Sequence, residues 1–200
     1  MNVSAPDVRA EIRQHVTDLK AVLDSVPVDD VRGMIEALHH AYDQGRHVFV
    51  IGNGGSAATA SHMACDLAKT TLGRPIRPAA KRFKIIALTD NVPLLTAWGN
   101  DASYETIFAE QLRNVANRGD LLIAITASGN SLNIVEAVKA ARELGLQSIG
   151  LLGFDGGQVK ELVDQAVVID SDNCGHVEEV HMVVNHLITA HFQRAMSSEP

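Results

Sequence analysis

Five short apolar segments, separated by stretches with helical periodicity, limit the possible folds of this chain more than any other feature. The segments are His47–Ile51, Lys84–Leu88, Leu121–Thr126, Gln147–Leu152 and Ala166–Ile169. Strands that are apolar on both faces are buried on both sides, and helices that cross over between them make the strands parallel. The sequence therefore predicts a doubly wound α/β fold around a parallel sheet.

Helical patterns fill most of the remaining chain. Between and after the strands they predict helices near residues 56–72, 92–98, 104–117, 131–144, 156–163 and 176–195. Two more helices precede the first strand, one over residues 6–25 and one from Asp29 to Gly45. This N-terminal pair either covers an edge of the α/β body or packs against another subunit. The proline-containing segment Arg74–Lys81 predicts a surface loop.

Length, charge and hydropathy limit the number of domains and the classes of function that we expect. With 200 residues, 46% of them apolar, we expect one domain that comprises the helical pair at 1–45 and the α/β body at 46–196. A formal net charge of −7 without a basic run argues against nucleic-acid binding. No apolar run approaches the roughly 18–20 residues that span a bilayer. The two thiols, Cys65 and Cys174, show no disulfide pattern, so we expect a cytoplasmic protein that acts on a small molecule.

Loops rich in glycine and hydroxyl groups follow the first and third predicted strands. One reads Gly52-Asn53-Gly54-Gly55-Ser56, and the other reads Thr126-Ala127-Ser128-Gly129-Asn130-Ser131. Beyond the carboxyl ends of parallel strands, glycine backbones, hydroxyls and helix N-termini can hold an anion. A single loop of this kind usually forms only a tight turn and a helix cap, whereas two at equivalent strand ends indicate a phosphate-ester site. Neither loop has the spacing of a dinucleotide fingerprint or a P-loop.

Candidate reactive side chains lie on two of the predicted helices. His62 and Asp66 are four residues apart, which places them on one helix face. Such a pair can ligate a metal ion or transfer protons, although a surface ion pair would have the same spacing. The last helix adds Glu178 and His186, eight residues or about 12 Å apart along a helix. They can share one centre only if Glu178 lies in a loose first turn or reaches back.

A further acidic side chain, Asp101, follows the second predicted strand in the sequence Trp98-Gly99-Asn100-Asp101. It either hydrogen-bonds a sugar hydroxyl or caps the helix that begins near Tyr104. For Trp98 we expect a packing role.

Taken together, these motifs resemble the phosphoheptose isomerases of the sugar isomerase (SIS) domain family. The resemblance extends from about residue 5 to 195 and rests on Gly-Asn-Gly-Gly-Ser-Ala-Ala at 52–58, His62, Gly99-Asn100-Asp101, Ser128–Ser131, and Glu179-Val180-His181 with His186. It implies a flavodoxin-like sheet of five parallel strands and a homotetramer with active sites between subunits. It also implies conversion of sedoheptulose 7-phosphate to D-glycero-D-manno-heptose 7-phosphate through an enediol.

The same resemblance implies roles for individual residues. Substrate and phosphate contacts would come from Asn53, Gly54, Gly55, Ser56, Asp101, Thr126, Ala127, Ser128 and Ser131. A divalent metal would be ligated by His62, Asp66, Glu178 and His186. Two imidazoles with two carboxylates suit Zn, Mn, Fe or Ni, and zinc is the expected ion. The acid–base chemistry would fall to Asp66, Glu178 and His186.

The sequence differs from the family pattern at several positions that the resemblance places in the active site. Asp66 stands in place of Glu, Glu178 in place of Gln, and Thr70 in place of a basic residue, while Thr126-Ala127 replaces Ser-Thr. Either Asp66 or Glu178 could therefore be the base. Two alternatives follow: an isomerase for a different sugar phosphate, or a non-catalytic SIS module. Such a module binds a sugar phosphate or a protein partner, as does the type that associates with the DnaA replication initiator.

Overall fold

The structure is a computed structural model that describes residues 7–72, 76 and 80–197. The strands are β1 (His47–Gly52), β2 (Lys84–Ala87), β3 (Leu121–Thr126), β4 (Gln147–Gly153) and β5 (Gln165–Ile169). The helices are α1 (Val8–Asp24), α2 (Val28–Asp43), α3 (Gly55–Lys69), α4 (Val92–Asp101), α5 (Ala109–Val115), α6 (Leu132–Leu144), α7 (Gly157–Lys160) and α8 (Cys174–Ser197). None of these helices combines the length and apolarity that a bilayer crossing requires. The predicted loop Arg74–Lys81 lies largely outside the described residues.

The five strands all run parallel, in the order β2-β1-β3-β4-β5. This is the flavodoxin-like order, in which the winding of the sheet reverses between β1 and β3. The register aligns the strand ends, because Gly52 pairs with Ile125 and Thr126 pairs with Leu152. The prediction of a doubly wound α/β fold is confirmed, and the loops after β1 and β3 meet at one edge of the sheet.

Helices cover both faces of the sheet and build a core on each. On one face, α2, α3 and α8 bury apolar side chains that include Met63 and Phe192. On the other face, α5, α6 and α7 bury residues such as Leu112 and Ile134. Because α3 and α8 share a face and contact each other, side chains from distant parts of the sequence meet between them.

The two N-terminal helices differ in how they join this body. Helix α2 buries Val31, Met34 and Leu38, and Gln165 of β5 donates a hydrogen bond to the Asp30 carbonyl over 2.7 Å. Helix α1 has no fully buried side chain and leaves an apolar stripe exposed at Val8, Ile12 and Val16. Helix α2 therefore covers the α/β body, as the first of the two alternatives for the helical pair predicted. The exposed stripe on α1 is the kind of surface that another subunit would cover.

Helix α5 spans Ala109–Val115 where the pattern predicts residues 104–117, and Tyr104–Thr106 forms a separate 3₁₀ turn. Helix α7 is also shorter than predicted. It is a single turn, Gly157–Lys160, where the pattern predicts residues 156–163. Gly156 and Gly157 have φ angles of +90° and +52°, a left-handed conformation that interrupts regular helix. They pack directly on the loop after β3, where a Cβ added at Gly129 would overlap the Gly156 carbonyl. This short segment therefore supports one of the two candidate phosphate loops.

Candidate active site

The loop after β1 is held to the start of α6 by a reciprocal pair of amides. Asn53 Nδ2 donates to Asn133 Oδ1 over 2.8 Å, and Asn133 Nδ2 donates back to Asn53 Oδ1 over 2.8 Å. The Tyr104 hydroxyl also donates to Asn53 Oδ1, over 3.1 Å. Asn133 is buried and was not predicted from the sequence, because its role depends on a partner eighty residues earlier. The pair fixes the distance between the two loops.

An open cavity of about 170 Å³ lies where these loops meet. Its walls include Asn53, Ser56, Thr126, Ala127, Ser128, Ser131, Phe154, Cys174 and Glu178. Helices α3 and α6 begin beside it, so backbone N–H groups and two favourable dipoles add to the hydroxyls. Among the described residues that line it, none is Lys or Arg. The cavity is smaller than the roughly 300–1,000 Å³ of a whole ligand pocket, and its chemistry suits the phosphate end of a substrate.

Two of the three glycines in the first loop, Gly54 and Gly55, are explained by different structural requirements. Gly54 has a φ angle of +53°, in the region that side-chain-bearing residues rarely adopt. Gly55 leaves space for a carboxylate, since a Cβ added there would come within 2.6 Å of Glu178 Oε1. Glu178 thus lies over the N-terminus of α3, where an anion is stabilised.

Three of the four predicted metal ligands come together between α3 and α8. His62 Nε2 lies 3.2 Å from His186 Nε2 and 3.2 Å from Asp66 Oδ2, and His186 Nε2 lies 3.9 Å from the same oxygen. With metal–ligand bonds of about 2.0–2.1 Å, a tetrahedral zinc site needs ligand atoms about 3.3 Å apart. The three side chains therefore fit a transition metal. Glu178 is not part of this cluster, in agreement with the eight-residue separation that made a shared centre difficult.

Two polar neighbours hold the Asp66 carboxylate in place. Asn185 Nδ2 donates to Asp66 Oδ2 over 3.1 Å, and the Thr70 hydroxyl donates to Asp66 Oδ1 over 3.4 Å. Asn185 is fully buried, and Asp66 keeps only 14% of its side chain exposed. Asn185 was also missed from the sequence, because its partner lies 119 residues earlier in the chain. These contacts leave Oδ2 directed toward the two imidazoles.

The remaining acidic and aromatic candidates lie at the end of α4. Asp101 is exposed, accepts a hydrogen bond from Asn100 Nδ2 over 2.7 Å, and does not line the cavity. It does not cap the turn at Tyr104, whose N-cap is Ser103, so that alternative is wrong. Trp98 packs against the core beneath α5 and α6, as expected.

His181 belongs to the core of the body. It is fully buried, and its Nε2 lies 3.0 Å from the Leu152 carbonyl oxygen. Burial lowers the pKa of His181 to about 4, partly offset by that hydrogen bond. The ring is therefore neutral near pH 7, and it donates from Nε2 to the end of β4.

Comparison with known proteins identifies the family. The SIS domain family matches residues 13–153. The phosphoheptose isomerase of Clostridium acetobutylicum is 37% identical over 183 residues, 90% of each chain. That of Geotalea daltonii is 34% identical over 192 residues, which cover 94% of this chain and 97% of the relative. The solved phosphoheptose isomerase of Neisseria gonorrhoeae has a TM-score of 0.85 and 26% identity, covering 94% of this chain and 99% of that one. This chain therefore belongs to the SIS domain family and, within it, to the phosphoheptose isomerases.

Proposed function

We propose that this protein isomerises sedoheptulose 7-phosphate to D-glycero-D-manno-heptose 7-phosphate. The observation that carries the proposal is the placement of the His62–Asp66–His186 cluster. It lies between α3 and α8, and its His62 and Asp66 belong to the same helix, α3, that begins at the phosphate-type cavity. A reactive centre and an anion site on one rigid element suit a substrate with a carbonyl at one end and a phosphate at the other. The relatives at 34% and 37% identity carry the name of this activity over nearly the whole chain.

The cavity binds the phosphate through neutral donors. Ser56, Thr126, Ser128 and Ser131 line it, and Ser131 occupies the N-cap of α6 without a side-chain hydrogen bond to that helix. Its hydroxyl therefore remains available to a ligand. Binding at this distal end holds the reacting carbons in position, which contributes orientation to the reaction.

Proton transfer falls to the groups held between α3 and α8. Asp66, oriented by Asn185 and Thr70, removes the proton from C1 of the ketose and gives an enediol. Return of a proton to C2 gives the aldose, and His186 exchanges a proton with the neighbouring oxygen. Glu178 is the second candidate base, because its carboxylate lies beside the cavity.

A divalent metal, with zinc as the expected ion, would be held by His62, Asp66 and His186, and Glu178 would have to reorient to join them. Bound there, it would stabilise negative charge on the enediolate oxygens as a Lewis acid. The donor set supports this assignment, because two imidazoles and a carboxylate lie within 4.8 Å of one another.

The proposal includes a homotetramer with active sites between subunits, located in the cytoplasm. An apolar groove of about 390 Å³, lined by Val26, Val28, Ile35 and Leu187 among others, supports association of copies, as does the exposed stripe on α1. The free, exposed thiols Cys65 and Cys174 support a reducing compartment.

The test is incubation with sedoheptulose 7-phosphate in D₂O, with and without added Zn²⁺ or Mn²⁺, followed by NMR. We expect the aldose to appear with deuterium at C2. Asp66→Asn should lower kcat by about 10²–10⁴-fold, the usual contribution of a general base, and Glu178→Gln by less. If Glu178→Gln lowers kcat more than Asp66→Asn does, Glu178 is the general base. Full activity of the metal-stripped protein would contradict a role for the metal in the reaction.

Two controls separate the alternatives. Other ketose and aldose phosphates, offered under the same conditions, identify an isomerase with a different substrate. Tight binding of the heptose phosphate without turnover under any metal would contradict an isomerase and indicate a binding module. The grouping of His62, Asp66 and His186 favours the enzyme, because a module that only binds needs no such cluster.

A further inference from the structure

A second group of metal-ligand side chains lies between α1 and the start of α8. His15 comes from α1, and His176 and Glu179 come from α8. One ligand atom from each of the three lies within 4.8 Å of the other two. Glu179 precedes His186 by seven residues, about 10 Å along the helix, so this group is separate from the His62–Asp66–His186 cluster.

His15 contacts both of the other side chains in this group. His15 Nε2 lies 2.9 Å from Glu179 Oε1, and His15 Nδ1 lies 3.3 Å from His176 Nε2. The two rings meet edge to face with centroids 4.6 Å apart. An ion would take one nitrogen from each imidazole, so the His15 ring must rotate to release its second contact. The short distances mean that this adjustment is confined to one side chain.

Burial and spacing both favour an ion over a simple surface ion pair. His176 is only 5% exposed, and Glu179 Oε2 is buried and has no hydrogen-bond partner among the residues that the structure describes. A buried carboxylate oxygen of this kind is costly unless something pairs with it. His15 and Glu179 keep 48% and 41% of their side chains exposed, which leaves a path from solvent. His176 and Glu179 are three residues apart, so one helix presents both from one face.

We propose that His15, His176 and Glu179 form a second divalent-metal site, for which zinc is the expected ion. Two imidazoles and one carboxylate, with water in the fourth position, are a recurring zinc ligand set. The ion fastens α1, which has no fully buried side chain of its own, to the first turns of α8. Those turns also carry Cys174 and Glu178 of the cavity, so the site fixes the wall of the candidate active site from outside.

The experiment counts metal ions. Purified full-length protein is stripped with chelator, loaded with Zn²⁺, desalted and analysed by inductively coupled plasma mass spectrometry. We expect two zinc ions per chain in the wild type, one in His15→Ala, one in His62→Ala, and none in the double variant. His40→Ala, at an exposed position of α2, is the matched control and should bind two. Loading with Co²⁺ gives an independent readout, because a tetrahedral site with nitrogen ligands produces visible d–d bands that His15→Ala should reduce.

Each outcome decides the proposal. If His15→Ala binds as much zinc as the wild type, the cluster is an ion-pair chain only, and the proposal is wrong. The same conclusion follows if the wild type binds a single ion that His62→Ala removes. Circular dichroism of His15→Ala checks that the variant is folded. Because the readout is ion count, failure of the isomerase assay would leave this result unaffected.

Discussion

Acidification should destabilise this protein through His181, a ring in the core of α8 that cannot easily accept a proton. Its pKa in the folded chain is about 4, against 6.5 for an exposed histidine. At pH 7.5 and above, the ring is almost entirely neutral in both the folded and unfolded states, so it adds almost no pH dependence there. As pH falls from 6.5 toward 4, the unfolded chain binds a proton that the folded chain does not, and the free energy of unfolding decreases.

The size of the effect follows from the two pKa values. With these pKa values, proton binding to His181 lowers the free energy of unfolding by about 2 kcal/mol at pH 5 relative to pH 7.5. At pH 4 the decrease is about 3 kcal/mol. For a domain with a typical total of about 5–15 kcal/mol, the loss at pH 5 is a large fraction of the whole.

The assay compares the wild type with His181→Gln by urea unfolding at pH 7.5 and pH 5, with chelator present so that no bound ion contributes. Glutamine can still donate to the Leu152 carbonyl but does not titrate. Wild-type protein should lose about 2 kcal/mol more than the variant. His40→Gln, at an exposed position, should behave as the wild type. Parallel losses in the wild type and His181→Gln would refute the reasoning, since other groups would then account for the acid sensitivity.

Three more predictions concern the candidate active site. Glu178→Gln should tighten binding of inorganic phosphate about fivefold by calorimetry, because removing one like charge near the anion gains about 1 kcal/mol; unchanged affinity would place the phosphate elsewhere. Asn185→Leu removes a hydrogen bond to the charged Asp66 and should lower kcat about tenfold with unaltered far-UV circular dichroism, whereas unchanged kcat would contradict its positioning role. Sedoheptulose 7-phosphate should slow alkylation of Cys174, in the cavity wall, and leave Cys65 unaffected, which mass spectrometry of the labelled peptides measures.

The fold was predictable because its signals are local. The strands are apolar on both faces, and this property predicts a covered parallel sheet. The edge strand β2 is the exception in the structure, because its Ile86 is exposed. The observed β1 and β4 extend only one residue beyond the predicted ends, to Gly52 and Gly153. The left-handed conformations of Gly156 and Gly157 were not predictable, since these residues pack on the loop after β3, a distant segment. Helix α7 ends at Lys160, three residues before the predicted end.

The site was predictable only in part, because it depends on contacts between distant segments. His62 and Asp66 share a helix, so their spacing alone indicated a pair. Asn133 and Asn185 became visible only in three dimensions, where each meets a side chain of another element. Buried amides are costly unless paired, and the partner cannot be read from the residue's own neighbours in sequence.

The separation of Glu178 from Asp66 gives the two carboxylates different physical roles. Asp66 is one methylene shorter than the Glu that the resemblance implies here, but Asn185 and Thr70 hold it where its Oδ2 reaches both imidazoles. Glu178 instead lies over the N-terminus of α3, the place that an anionic substrate group would also favour. A phosphate that enters the cavity therefore repels the Glu178 carboxylate. Relief of that repulsion would move Glu178 away from Gly55, so the proposed phosphate site predicts that substrate binding and the position of this carboxylate are coupled.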